Sequence, residues 1–132
     1  MSVGVSLEKF LKLWFPVVAW AVLIFCLSGI PNLKTGLEFD FILRKISHLI
    51  EYLILVLLLY RAFAGSFKIN AMRLFIYPAV LSFFYAITDE LHQSVIPGRN
   101  CSIWDVLIDS TGIITFYIIN ILISRKKNKA VS

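Results

Sequence analysis

Cysteine is nearly absent: Cys26 lies within an apolar run and Cys101 in a short polar loop of this 132-residue chain. A disulfide framework and a Cys-x-x-Cys metal pair are both excluded. The two histidines, His48 and His92, do not form a His-Glu-x-x-His motif. The sequence therefore carries no metal signature, and no cofactor is expected. Ser47, Ser94, Ser102 and Ser110 occupy ordinary positions without the context of a nucleophile. Charge is sparse as well, at 16% of residues, against about 25% in soluble domains. What fills the chain is apolar, with 59% hydrophobic residues and a mean hydropathy of +0.84. That is the composition of a membrane protein. A span needs about 20 residues, so four spans with short connections occupy nearly the whole length and leave no room for a soluble catalytic domain.

The first apolar segment runs from about Leu13 to Ile30, and Pro16 is expected in its first turn, where a missing N–H costs little. Lys9 and Lys12 precede it, but it lacks a small-x-small cleavage site and reads as a retained span. The second segment begins near Asp40, expected as its cap, and continues to about Ala64. The third extends from about Ala71 to Val95 and is ended by Pro97-Gly98. The fourth starts near Ser102 and closes at Arg125, with Lys126, Lys127 and Lys129 as a basic tail. Residues 1–132 thus read as one all-α domain, a polytopic four-helix transmembrane bundle with its motif-bearing core at about 40–123. Trp14 and Trp104 are read as interfacial anchors.

The net charge of +5 sits beside apolar runs and not on one soluble face, which points to topology and not to nucleic acid. Lys9, Lys12, Arg61, Lys68, Arg73 and Arg125 to Lys129 fall on one side of the bundle. Lys34, Arg44, Lys45 and Arg99 fall on the other. Basic residues are retained on the cytoplasmic side, so both termini are predicted to be cytoplasmic.

Charged groups inside spans are costly and mark function. Counting the helical rise from the basic residue at each cytoplasmic end, Glu51 lies about 15 Å, His48 about 20 Å and Lys45 about 24 Å from Arg61. Asp89 and His92 lie about 24 Å and about 28 Å from Arg73, and Asp109 and Asp105 about 24 Å and about 30 Å from Arg125. Residues three, four and seven apart share a helix face. Lys45, His48, Glu51 and Tyr52 therefore form one stripe, Tyr85, Asp89, His92 and Gln93 a second, and Asp105, Asp109 and Gly112 a third. All three are expected to point inward and to build a pocket opening outward between the second, third and fourth segments. Arg99 could pair with one of the acids or stand ready for an anionic ligand; if ion pairs merely lock the bundle, pairs such as Lys45 with Asp89 or Arg99 with Asp105 are expected. Gly112 would let another helix approach closely. The Pro97-Gly98-Arg99-Asn100 turn lies over the cluster.

The pattern Lys45-x-x-His48-x-x-Glu51-Tyr52-x-x-Leu55, then Tyr85-Ala86-x-x-Asp89-Glu90-x-His92-Gln93-x-x-x-Pro97-x-Arg99, then Asp105-Val106-x-x-Asp109-x-x-Gly112 resembles the VanZ-like family of small bacterial membrane proteins. The resemblance covers roughly Ile46 to Phe116; the first segment and the basic tail add nothing to it. Asp109 stands where members often carry Asn. The resemblance implies a bacterial cell-membrane location. The family's namesake is associated with low-level resistance to teicoplanin, a lipid-bearing glycopeptide acting on cell-wall precursors outside the membrane.

Together with the resemblance, these residues imply the binding of an envelope lipid or lipid-linked precursor headgroup, with altered sensitivity to glycopeptides as the expected consequence. Arg99 and Lys45 would meet anionic oxygens, while His48, Glu51, Tyr52, Asp89, Glu90, His92, Gln93, Asp105 and Asp109 would position them. A membrane hydrolase or transferase using His48, Asp89, Glu90, His92 or Asp105 stays open. So does a small carrier, which would require a homo-oligomer. Ion pairs that merely lock the bundle are the plainest alternative.

Overall fold

The computed structural model describes residues 5–31, 39–99 and 101–131, with the backbone alone for 127–131. Lys34, Asn100 and the side chains of Lys127 and Lys129 lie outside the described residues. These residues form four α-helices and no strand: α1 Leu7–Ser28, α2 Asp40–Ser66, α3 Ala71–Gln93 and α4 Ile103–Val131. Three stretches, Leu7–Ser28, Ala71–Gln93 and Ile103–Lys126, are long and apolar enough to cross a membrane.

Local chemistry sets the helix ends. The Ser6 hydroxyl accepts the Lys9 amide at 3.3 Å, a side-chain N-cap that starts α1 well before its apolar run. Pro16 consequently lies in the helix interior and not in the first turn. A proline there deprives the carbonyl four residues back of its partner. That carbonyl belongs to Lys12, and Arg61 of α2 donates to it at 3.3 Å. Asp40 is not the cap of α2: Phe39 holds that position without a side-chain bond, and Asp40 opens the first turn, where a carboxylate suits the positive end of the helix dipole. Asn70 caps α3 by accepting the Arg73 amide at 2.9 Å. Beyond α3, Gly98 takes a φ of 79°, a left-handed conformation that glycine adopts without steric cost. At the start of α4 the Ser102 hydroxyl accepts the Trp104 amide at 3.2 Å. The basic end of the chain continues α4 as far as Val131.

Successive helices run antiparallel, and α2 touches all three others while α1 and α4 do not meet. The parallel pair α2 and α4 is held close because a Cβ on Gly112 would collide with the Leu49 carbonyl oxygen and lie 3.1 Å from the Leu53 nitrogen. Only a residue without a side chain permits that approach, the expected role of small residues between membrane helices. Tyr52, Leu55, Val56, Leu59 and Ala62 of α2 form the middle of the core, against Val17 and Ile24 of α1, Ala86 of α3, and Ile113, Phe116 and Tyr117 of α4. Phe15, Val18, Phe84, Leu91, Ile114 and Ile118 face outward. The bundle is thus apolar outside and polar within one end, the inverse of a soluble domain. Trp14 is partly buried between helices, donating to the Ser66 hydroxyl at 2.9 Å and packing on Phe63, whereas Trp104 is exposed.

Candidate functional site

The polar stripes of α2, α3 and α4 meet at the end of the bundle that carries the α3–α4 turn. His48, Asp89, Glu90, Gln93, Asp105 and Asp109 are all buried. His48 Nδ1 and Asp109 Oδ1 are 3.0 Å apart, joining α2 to α4. Lys45 pairs with Asp105, again between α2 and α4, and not with Asp89. One turn of helix separates Lys45 from His48 and a similar rise separates Asp105 from Asp109, so parallel α2 and α4 match the two pairs rung by rung. Asp89 instead accepts from Gln93 Nε2 at 2.9 Å within α3. Glu90 Oε2 accepts the Ser102 amide at 2.9 Å, tying the end of α3 to the start of α4.

Arg99 does not pair with Asp105. Its Nε donates to the Ile30 carbonyl at 3.2 Å, Nη2 to the Leu27 carbonyl at 3.1 Å and Nη1 to Gln93 Oε1 at 3.1 Å. The last carbonyls of a helix lack intrahelical partners and form its negative end. α1 has no basic residue in its own last turn, so Arg99 supplies the missing cation from the α3–α4 turn. Burial foremost, and then the neighbouring Arg44 charge, draw Arg99 below its ordinary pKa, but a guanidinium that starts above about 12 stays charged.

Open space lies on both sides of α2 at this end of the bundle. A cavity of about 210 Å³ lies between α1 and α2, lined by Ser28, Arg44, Ser47, His48, Glu51 and Arg99 among others. It adjoins a second of about 170 Å³ that shares Leu27, Ser47 and Glu51 and is otherwise walled by Trp20, Leu23, Ile24 and Ile50. A third, of about 340 Å³, sits between α2 and the start of α4, bordered by Arg44, Lys45, Ser102, Trp104 and Asp105. Small side chains explain the first: Ser28 and Ser47 stand where bulkier residues would fill the α1–α2 seam.

Of the residues expected at the site, His48, Glu51 and Arg99 line the first cavity, and Lys45 and Asp105 the third. Tyr52, Asp89, Glu90, Gln93 and Asp109 lie in the packed interior behind them. His92 turns toward α1, its ring stacked on Phe25 with centroids 4.0 Å apart. Arg44, Ser28 and Ser47 are the residues that reading the sequence missed. Arg44 borders two cavities, and its signal was the spacing Asp40, Arg44, Ser47, Glu51, which continues the polar stripe of α2 back toward its first turn. The contribution of α1 left no such signal, because it works through backbone: the Leu27 and Ile30 carbonyls hold Arg99, Ala21 O accepts Tyr85 Oη at 2.5 Å, and Trp20 donates back to the Glu51 carbonyl at 2.9 Å.

No curated protein and no solved structure gives a significant match to the chain. A family model described as VanZ/LLP1 matches residues 5–124 and so includes α1, beyond the Ile46 to Phe116 range of the motif resemblance. With nearly its whole length matched, and with three helices able to cross a membrane, the chain belongs to the VanZ/LLP1 family.

Proposed function

We propose that this protein is a four-span integral membrane protein of the bacterial cell membrane, with cytoplasmic termini, that holds the anionic headgroup of an envelope lipid or lipid-linked cell-wall precursor in the seam between α1 and α2. α2 is the fourth span; its Lys45, His48 and Glu51 are turned at least partly into the bundle and its stretch from Leu53 to Tyr60 is apolar. The reading rests on one observation: a cavity bordered by the guanidinium-bearing Arg44 and Arg99 with Ser28 and Ser47 continues into one walled by Trp20, Leu23, Ile24 and Ile50. An amphiphile has that division of chemistry. Its phosphate oxygens would meet the two guanidinium groups, and the first part of its hydrocarbon chain would lie along the apolar wall.

The test is retention of a purified polyprenyl-linked precursor by protein in detergent. Arg44→Ala removes the cation that holds nothing else together in the described residues, and it is expected to lower retention about tenfold or more, as loss of a charge-assisted contact does. Retention equal to wild type would remove the proposal. A change in teicoplanin sensitivity of a susceptible strain on expression is the corresponding phenotype.

The His48 and Asp109 pair favours a second reading. A histidine held by a carboxylate and lining a cavity is the arrangement of an oriented general base, as a hydrolase or transferase acting on the same headgroup would need. That reading requires turnover by wild type, and a His48→Ala protein that still retains the lipid without converting it.

A further inference from the structure

We infer that His48, Glu90 and Asp109 form a binding site for one divalent metal ion in the interior of the bundle. One ring nitrogen of His48 and one carboxylate oxygen each of Glu90 and Asp109 lie within 4.8 Å of one another. They come from α2, α3 and α4 respectively. An ion held by such atoms at about 2.0–2.2 Å keeps them about 3.4 Å apart in a tetrahedral arrangement. The ligand atoms would have to draw together by roughly an ångström to hold the ion.

The second observation is the state of the carboxylate oxygens. Glu90 and Asp109 are 2% and 0% exposed. Glu90 Oε1 and Asp109 Oδ2 are both buried without a hydrogen-bond partner in the described residues. Two cations of the cluster are engaged elsewhere: Lys45 with Asp105, and Arg99 with the Leu27 and Ile30 carbonyls and Gln93. Two buried carboxylates served by a single histidine are costly in a membrane interior. A dication would cancel both charges at once, and each carboxylate has an oxygen without another partner in the described residues.

The surroundings also suit an ion. Glu90 Oε2 is fixed by the Ser102 amide, the kind of outer contact that orients a metal ligand. One imidazole with two carboxylates is a ligand set for zinc, manganese or ferrous iron and not for a thiophilic ion. Ligand binding requires neutral imidazole and ionised carboxylates, so the ion exchanges for protons and affinity falls at acid pH.

The experiment uses the full chain purified in detergent, stripped with chelator and dialysed against Zn²⁺ alone and Mn²⁺ alone, with metal read by mass spectrometry. About one ion per chain is expected for at least one of them. Glu90→Gln keeps an acceptor for the Ser102 amide yet removes the charge, and it is expected to weaken binding at least tenfold, the lower end of what even an outer contact contributes. A Cys26→Ser, Cys101→Ser double variant should retain the ion. Loss of binding in that variant would assign the ion to thiols and overturn the site, as would wild type retaining no more ion than Glu90→Gln. Should the substitution unfold the protein, Co²⁺ absorption of the wild type decides: visible bands without thiolate charge transfer support the site, and their absence rejects it. No lipid is present in these measurements, so their failure leaves the headgroup reading standing.

Discussion

His48 and Asp109 illustrate how one side chain inside a membrane bundle depends on another. Removing His48 leaves the Asp109 carboxylate buried without its donor, and breaking such a pair costs about 3–5 kcal/mol. His48→Ala is therefore expected to lower stability by about that amount in denaturant titrations in detergent. Asp109→Asn keeps a side-chain oxygen that can accept from the ring N–H at 3.0 Å, and is expected to cost less than about 1.5 kcal/mol, a single neutral hydrogen bond. Equal losses in the two variants would show that the pair is no more than packing. The same residues show what reading the sequence captures. Ionisable groups at helical spacing could be placed on one face of each helix, because that depends on periodicity alone. Their partners could not: Lys45 meets Asp105 and not Asp89, because pairing depends on the relative height of two helices, which no single helix records.

Between helices, contact is governed by backbone that sequence periodicity does not see. Gly112 has the Leu49 carbonyl against it, and carbonyls in a packed helix cannot yield, so Gly112→Ala is expected to separate α2 from α4 and destabilise by about 1–3 kcal/mol. Gly65 offers a control, because its added methyl would meet only the branched end of Leu13, a side chain able to rotate. Thermal unfolding of the two variants should place Gly112→Ala well below Gly65→Ala; the reverse order would mean that α2 and α4 can move apart at little cost. Arg99 governs the docking of α1 in the same way. Arg99→Lys preserves charge but cannot span the Leu27 and Ile30 carbonyls and Gln93 with one ammonium. It is expected to lose roughly 2 kcal/mol, more than one hydrogen bond's worth, and to expose the end of α1 to faster amide exchange. The small residue Gly112 was legible as a contact point, while Arg99 was expected to face acids or ligand, since nothing in its neighbours announces a distant helix end.

At the scale of the molecule, the apolar exterior, the polar end and the distribution of basic residues must agree on one orientation. The polar cluster lies at the end bearing the α3–α4 turn, and Lys9, Lys12, Arg61, Lys68 and Arg73 lie at the opposite end. If that opposite end is cytoplasmic, Cys101, exposed beside the turn, is reached from outside, while Cys26 lies within the apolar run of α1. Intact cells treated with a membrane-impermeant thiol reagent are therefore expected to label Cys101 and not Cys26. In a Cys101→Ser background, Lys68→Cys is expected to label only after permeabilisation. The measurement also tests whether α2 spans, because α1 and α3 run parallel only if the chain recrosses the membrane between them. Labelling of Lys68→Cys from outside would place the α2–α3 connection outside, invert α3 and α4 relative to the proposed arrangement, and remove the outward access on which headgroup binding depends.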